Sequence, residues 1–480
     1  MKHSRQLTTR LESSAFSTDH LEIQRVRGTE QISRLFGFDI ELRTPEQGLP
    51  EGCVPGASVS LVLEDAGDGE RTRFVHGIID AIDDRMRASH GRRAYLLRLV
   101  PRAARLELTE TQEVFVDESV PSIVRGKLAL HGLGPDDFEL RLRGSYPARE
   151  SVVEYMESDL AFVARLTEHL GISYFFEHDR ERTRLVFTDD EGGFTTAIPL
   201  TFDERGDNHH LHALGSRSRR VPSSVFVQDH NYRVPLVELT GAHDLERGHG
   251  GGIVHYGTHH KTPEEGQLIA RIRAQELESR RFVYAGESGA IALSPGHRVA
   301  IFGHPDLSDG AEILVTKVEH DAEWSSEEGT RGASYRNAFE AVPVGFTYRP
   351  PRSTPRPRIH GFVTGVVKSH ENARDGSLPF LDEHGRYLVE LQFDTLRAPH
   401  KQRASHRIRM AQPFAGPNHG MHFPLRPGAE VLVGFLDGDP DRPVILGAVP
   451  NAIAPSPVTH HNPNAHVVQL SSGIRLTIRD

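Results

Sequence analysis

Three aspartates at alternate positions are the first residues whose types and spacing could do chemistry. Asp437, Asp439 and Asp441 lie in the hexapeptide DGDPDR, between the apolar runs EVLVGFL and VILGAV. A calcium loop begins in this way, but it needs Gly at its sixth position and Glu at its twelfth, where this chain has Arg442 and Ala448. A metal loop, a catalytic carboxylate pair and a turn between two strands are the three interpretations. The pattern favours a solvated turn, because Asp-Gly tolerates the positive φ of tight turns.

Histidines form the second candidate group. His255, His259 and His260 are close in sequence, and His419 and His422 are three residues apart. Such spacing could supply two zinc ligands on a helix. Both groups lie in Gly-rich segments, HGGGIVHYGTHH and AGPNHGMHF, that do not predict helices, and HExxH does not occur. The pattern favours packing or surface roles, and no metal site is predicted.

The sequence contains no pattern typical of a nucleophilic enzyme. GESGA (286–290) is not the G-x-S-x-G elbow, and neither a P-loop nor a Rossmann glycine motif occurs. Cys53 lies in the turn PEGCVPG, with no histidine near it in sequence. A carboxylate pair brought together by folding remains open among the 66 acidic residues. We therefore predict no catalytic residues and no cofactor, and we expect that the protein is not an enzyme.

Composition excludes several classes of protein. The net charge of -10 argues against non-specific nucleic-acid binding, so no nucleic-acid partner is expected. A single cysteine excludes an internal disulfide and fits folding in a reducing cytoplasm. The N-terminus lacks the apolar core of a signal peptide, and no run of about 18 apolar residues predicts a membrane span.

The elements that would position any site are mostly strands. FVHGIIDAI (74–82) and AYLLRLVPRAARLEL (94–108) are apolar runs bounded by charged turns. Two helices are predicted: residues 158–170 with Ser158 as N-cap, and a helix from Thr262, where Thr-Pro-Glu-Glu combines an N-cap, a first-turn proline and a capping glutamate. Prolines and arginines at 346–358 predict an extended linker.

The last stretch of sequence has an apolar residue at alternate positions. This period of two predicts a strand or strand pair with one apolar face. Little sequence follows that could cover this face, so partner chains are its simplest cover. The residues of the face, which we predict to point towards a trimer axis, are Val468, Leu470, Ile474, Leu476 and Ile478.

Several segments, in order, resemble the VgrG spike proteins of type VI secretion systems, which are related to the hub and needle of contractile phage tails. The most specific resemblance is at 409–451, where apolar strands, Gly-Asp-Pro-Asp-Arg-Pro and a closing Gly and Asn recur at fixed spacing. The other matching segments are ESDLAFVARLTEHLGISYFFEH (157–178), SPGHRVAIFGHPDL with ILVTKVEHDA (294–322), YRPPRSTPRPRIHGFVTGVV (348–367), DEHGRYLVELQFD (382–394) and SSGIRLTIRD (471–480).

The resemblance implies a mainly β fold. A phage-tail-hub-like region of two β-barrel domains with inserted α/β segments is expected at 1–345, and the linker at 346–358. An OB-type barrel is expected at 359–452, and the start of a trimeric β-helical needle at 453–480. The acidic hexapeptide would be a turn between two strands of that barrel.

The resemblance also implies a structural function, as the spike and hub of a contractile injection machine. Implied partners are two further copies in a homotrimer, a hexameric inner-tube protein, baseplate proteins, a conical tip protein, effector cargo and, transiently, the target membrane. The protein would be cytoplasmic before firing and then leave through the apparatus without a signal peptide. A phage-tail-type cell-wall hydrolase and a carbohydrate-binding module on the OB-type barrel are the alternatives.

The sequence departs from the family pattern at three places. The family has Trp-Asp shortly after the position of Phe393, Trp where Phe414 stands and Tyr-Asn where Pro450 and Asn451 stand. These departures suggest a divergent branch, such as a related extracellular injection particle or a phage-like tail. Only 28 residues follow Ala452 (480 minus 452), so the expectation is a short spike or a shortened needle without an effector enzyme.

Overall fold

The computed structural model describes residues 7–65, 71–85, 92–204, 210–327, 330–369, 379–394 and 405–479. The chain divides into two compact units. The first comprises Met1–Thr109, Pro121–Tyr146 and Asp159–Pro355, and the second Glu110–Val120, Pro147–Ser158 and Arg356–Asp480. None of the helices in the described ranges combines the length and apolar character needed to cross a membrane.

The first unit begins with six antiparallel strands in the order β1-β4-β5-β6-β3-β2. Side chains alternate between core and surface, as in Phe38, Ile40 and Leu42 of the third strand. The strand predicted at 94–108 is partly wrong, because it ends at Val100 and a 3₁₀ helix follows Pro101, which has no N–H for a strand ladder. The elements are β1 (Leu7–Glu12), β2 (Glu22–Gln31), β3 (Gly37–Pro45), β4 (Ser58–Asp65), β5 (Arg71–Asp84), β6 (Arg92–Val100) and η1 (Arg102–Leu108).

A mixed α/β stretch follows. It contains the predicted helix after Ser158, which is confirmed as Asp159–Leu170 and ends at Gly171 with φ 70°. It also contains a helix that the sequence analysis missed, at Val120–Leu130, where Gly126 and β-branched residues weaken the helical signal. The elements are β7 (Glu110–Glu118), α1 (Val120–Leu130), β8 (Phe138–Arg141), β9 (Arg149–Ser158), α2 (Asp159–Leu170), β10 (Ser173–His178) and β11 (Thr183–Thr188).

The rest of the first unit is a second β region with one long helix. The helix predicted from Thr262 is confirmed, since the Thr262 hydroxyl accepts a hydrogen bond from the Glu265 N–H at 3.2 Å. Its elements are η2 (Glu191–Gly193), β12 (Thr195–Thr201), β13 (Leu211–Ser218), β14 (Ser224–Asp229), β15 (Leu239–Asp244), β16 (Gly252–Tyr256), α3 (Pro263–Arg281), β17 (Phe282–Ser288), β18 (His297–Phe302), β19 (Ala311–Glu327) and β20 (Thr330–Pro343). Strand β19 pairs with β2 and with β20, and so joins the two β regions into one sheet.

The Pro/Arg-rich segment contains neither helix nor strand at 347–360. It is nevertheless fastened to the first unit. The buried carboxylate of Glu168 on α2 accepts hydrogen bonds from the N–H groups of Ser353 and Thr354, each at 3.0 Å. Arg349 is also buried, and its guanidinium donates to the Gly171 carbonyl at 2.8 Å.

The second unit is built around a five-stranded antiparallel sheet in the order β23-β22-β21-β26-β27. Its elements are β21 (Val363–Val367), β22 (Tyr387–Leu391), β23 (Ser405–Ile408), β24 (Ala415–Gly416), β25 (His419–Gly420), β26 (Glu430–Phe435), η3 (Leu436–Gly438), β27 (Pro443–Ala448), β28 (Ala465–Gln469) and β29 (Arg475–Arg479). The paired strands β7 and β9 belong to this unit, and their Val114 and Val153 are fully buried in its core with Val389, Val431 and Val433.

Candidate functional site

The predicted apolar face lies on a hairpin made by the last two strands. β28 and β29 pair in antiparallel register, with Val468 opposite Leu476. Gly473, with φ 90°, closes the turn, and the Leu470 N–H donates to the Ile474 carbonyl at 2.9 Å. Because directly opposed residues point to the same side of a sheet, the predicted residues share one face of this hairpin.

That face is not covered within the described chain. The five apolar side chains are between 41% and 66% exposed. Such a contiguous apolar stripe is typical of an interaction surface rather than of a free surface strand. The Arg426 guanidinium donates to the Ser471 hydroxyl at 2.6 Å and so ties the hairpin to its own unit.

The acidic hexapeptide connects β26 and β27, as predicted, but its acid is not mainly solvated. Asp439 is only 5% exposed, and its carboxylate accepts a hydrogen bond from Arg356 at 3.0 Å. Asp441 accepts from the Val153 N–H on β9 at 2.7 Å. Asp437, with φ 53°, makes the exposed turn. The prediction of a solvated turn is therefore wrong for two of the three aspartates, because sequence spacing does not reveal which distant segment packs against a loop.

The histidines at 255–260 have separate local partners. His255 lies on the strand β16, and its Nε2 is 3.2 Å from an Arg352 nitrogen. Burial lowers the pKa of His255, and the charge of Arg352 adds to that effect. The Nδ1 of His260 is 2.7 Å from the Thr258 hydroxyl oxygen, and the His259 main-chain N–H donates to Asp229 at 2.6 Å. The side-chain contacts of His255 and His260 are those of packing residues.

The second histidine pair lies beside the five-stranded sheet of the second unit. The His422 ring stacks on Tyr387 with centroids 6.2 Å apart, and its Nε2 is 3.1 Å from the Tyr387 hydroxyl oxygen. The Nδ1 of His419 is 3.1 Å from the Pro417 carbonyl oxygen in the small β24–β25 hairpin. Each imidazole therefore has its own neighbour.

An open cavity of about 480 Å³ in the first unit contains a Ser–His contact that spacing alone could not reveal. Ser60 Oγ is 2.7 Å from His76 Nδ1, and His76 Nε2 is 3.0 Å from the Asp179 carbonyl oxygen. A main-chain carbonyl, not a carboxylate, thus orients the imidazole. Ser60 and His76 are direct cross-strand neighbours on β4 and β5, so the sheet register is sufficient to explain the contact.

Comparisons with known proteins match both units. The family model described as phage tail baseplate hub (GPD) matches residues 29–326. The model described as type VI secretion system/phage-baseplate injector OB domain matches residues 381–449. The first match covers most of the first unit and also the segments of β7 and β9, and the second match covers four of the five strands of the sheet in the second unit.

Known proteins are similar to this chain over most of its length. The chain is 31% identical to the type VI secretion system spike protein VgrG1b of Pseudomonas aeruginosa, over 92% of this chain and 60% of that protein. It is 30% identical to VgrG1a of the same organism, over 90% of this chain and 68% of that protein. The solved structure of the E. coli c3393 protein, a component of the type VI secretion system, superposes with a TM-score of 0.67 at 24% identity, over 92% of this chain and 100% of that chain. The chain therefore spans about three fifths of the length of VgrG1b.

Proposed function

This chain belongs to the VgrG family of type VI secretion spike proteins, and we propose that it is a structural hub and spike component of a contractile injection machine. In this role it caps the inner tube, transmits the puncturing stroke and takes part in effector delivery. The energy comes from contraction of a sheath, and the chain's task is to stay folded under load.

The observation that carries this proposal is the uncovered apolar face of the β28–β29 hairpin. Three copies wrapped around an axis would bury Val468, Leu476 and Ile478 of each chain against one another. Burial of a half-exposed aliphatic side chain contributes roughly 1 kcal/mol, so five of them on each of three copies favour association strongly. Wrapping also pairs the free strand edges, which removes an aggregation hazard and gives a stiff rod.

Threefold symmetry also suits the proposed contact with the tube. Two β-barrel domains per chain and three chains make six barrels, which match a hexameric inner-tube protein. We place the tube on the broad face of the hub, baseplate proteins around it, and a conical tip protein and effector cargo at the far end. The proposed boundaries are a hub at 1–345, a linker at 346–358, an OB-type collar at 359–452 and the root of the needle at 453–480.

The same role sets where the protein acts. We propose that it is cytoplasmic before firing, passes out through the contracting apparatus without a signal peptide, and touches the target membrane transiently. No step in this role needs a catalytic residue of this chain.

Complementation in the native host tests the role. The gene is deleted and replaced by the wild type, Leu476→Asp or the matched control Thr477→Asp, which lies on the opposite face of β29. The expected result is that the wild type and Thr477→Asp restore release of the tube protein into the medium and Leu476→Asp does not. Release from the deletion strain, or breakdown of peptidoglycan by the purified chain, would contradict the proposal, the latter in favour of a cell-wall hydrolase.

A further inference from the structure

A cluster of buried charged and titratable groups lies where the two β regions of the first unit meet. Its centre is the Glu30 carboxylate on β2, which accepts hydrogen bonds from Arg73 on β5, His178 on β10 and His320 on β19. The two imidazole Nε2 atoms are 2.7 and 2.8 Å from the carboxylate oxygens. These four side chains are at most 4% exposed. One acidic side chain therefore links strands that are up to 290 residues apart in sequence.

The hydrogen bonds of the cluster fit the neutral form of both histidines. Each Nε2 carries its hydrogen, because it faces a carboxylate that can only accept. Each Nδ1 then accepts from a hydroxyl group: Thr183 is 2.9 Å from Nδ1 of His178, and Tyr335 is 2.7 Å from Nδ1 of His320. Two neutral imidazoles, one carboxylate and one guanidinium thus form a network with no net charge and with every ring nitrogen paired.

Arg73 connects the cluster to the second β region as well. Its guanidinium donates to the carbonyl oxygens of Ile291 at 3.0 Å and Leu293 at 2.9 Å. Aromatic rings pack on the two histidines: Phe36 lies edge-on to His178 with centroids 5.4 Å apart, and Phe38 lies 5.5 Å from His320. The apolar packing leaves the cluster dependent on its own internal charge balance.

The remaining titratable groups that face the cluster are few. His76 on β5 and His297 on β18 act electrostatically on it, and Glu177 on β10 acts on His297. Burial lowers the pKa of His297 to about 4, and the charge of Arg73 adds to that effect. A proton taken up by any of these imidazoles would therefore place a second positive charge beside Arg73.

The direction of the pKa shifts agrees with the geometry. Burial lowers the pKa of His178 and of His320 and outweighs the opposing pull of Glu30. Burial alone would raise the pKa of Glu30, but Arg73 and the two histidines hold it well below its usual range. An unfolded histidine takes up a proton near pH 6.5, so the stabilisation is complete above that pH and is lost as the pH falls. The contribution of Glu30 is lost in the same direction, below about pH 4.5.

We propose that the Glu30–Arg73–His178–His320 cluster is an acid-sensitive lock that stabilises the contact between the two β regions of the hub at neutral pH and weakens as the pH falls below about 6. Opening exposes the imidazoles to water, where each takes up a proton, and the protonated rings then oppose reclosure beside Arg73. The lock lies within one chain, so its test is independent of the proposed spike function.

Substitution of the two histidines by glutamine tests the lock, because a glutamine amide can donate to Glu30 and does not titrate. The urea-unfolding equilibrium of the full chain is measured at pH 7.5, 6 and 5 for the wild type, His178→Gln/His320→Gln and the matched control His230→Gln, an exposed histidine of the same unit. Up to two more protons are taken up on unfolding of the wild type, so its unfolding constant should rise more than that of the double variant between pH 6 and 5, by at most roughly 60-fold. His230→Gln should behave as the wild type does. An equal rise in the wild type and the double variant would overturn the proposal.

A measurement on the unaltered chain covers the case in which the double variant fails to fold. Hydrogen exchange of the segments around Glu30, His178 and His320 is followed at pH 7.5 and 5.5, with labelling times corrected for the intrinsic pH dependence. The expected result is faster corrected exchange at pH 5.5 in these three segments than in the core of the second unit. Unchanged protection of the three segments would overturn the proposal.

Discussion

Two strands of the second unit have the same alternating pattern and opposite environments. In β26, Val431 and Val433 are fully buried in the core. In β29, Leu476 and Ile478 alternate in the same way, yet each is about 60% exposed. The pattern therefore predicts which side chains share a face, but it does not predict what covers that face.

The difference lies in the cover. The core that contains β26 is completed by β7 and β9, which come from a sequence region more than 200 residues earlier and bring Val114 and Val153 with them. The described chain offers β29 no such partner beyond its neighbour β28. In the proposed trimer, other copies would bury the apolar face of β29, whereas the apolar face of β26 is buried by its own chain. The predictions below are ordered by their effect on the free energy of unfolding of a single chain.

Val153→Asp tests the core that covers β26. An unpaired carboxylate in the core of the second unit should lower its free energy of unfolding by about 4 kcal/mol. The loss of free energy of unfolding is measured in a denaturant series, with hydrogen exchange of β26 and β27 as the probe of the second unit. Met156→Asp on the same strand is the control and should have little effect, because Met156 is 60% exposed. Equal effects of the two variants would show that β9 is not part of this core.

Asp439→Asn tests the loop that connects β26 and β27 in the buried sheet. Removal of the carboxylate charge leaves Arg356 without its ionic partner, so the second unit should lose about 2 kcal/mol of stability. Asp437→Asn is the matched control, since Asp437 is exposed with φ 53° and asparagine tolerates that conformation. Urea midpoints of the two variants decide the point. A loss for Asp437→Asn as large as that for Asp439→Asn would contradict the assigned roles.

Leu476→Asp tests the uncovered side. The side chain is exposed in the single chain, so the free energy of unfolding of each unit should change by no more than about 0.5 kcal/mol. Association should nevertheless weaken, because three carboxylates would meet at the proposed axis. Sedimentation of Leu476→Asp and Thr477→Asp at matched concentrations measures the difference. A trimer of unchanged affinity in Leu476→Asp would remove this face from the proposed axis.

Local signals predicted much of the fold. The Thr262 cap with Pro263 located the start of α3, and the apolar spacing after Ser158 located α2, because capping and helical periodicity depend on residues close in sequence. The shared face of Val468 and Leu476 was predicted for the same reason, since a period of two is a local property.

Features that depend on distant contacts were not predicted. The burial of Asp439 follows from Arg356, some 80 residues away, and the Glu30 cluster assembles from strands spread over most of the first unit. The insertion of β7 and β9 into the core of the second unit likewise has no local signal. In each case a segment remote in sequence, and not water, surrounds a polar group or an apolar face. Sequence spacing does not identify that segment.

The native mass of the unaltered chain in solution, measured by light scattering over a range of concentrations, tests the central claim most directly. The account predicts a species of about 160 kDa, three times the 53.4 kDa of one chain, at concentrations where the apolar face can be covered. A species that stays at 53.4 kDa across the range would contradict the claim that copies of this chain cover the β28–β29 face.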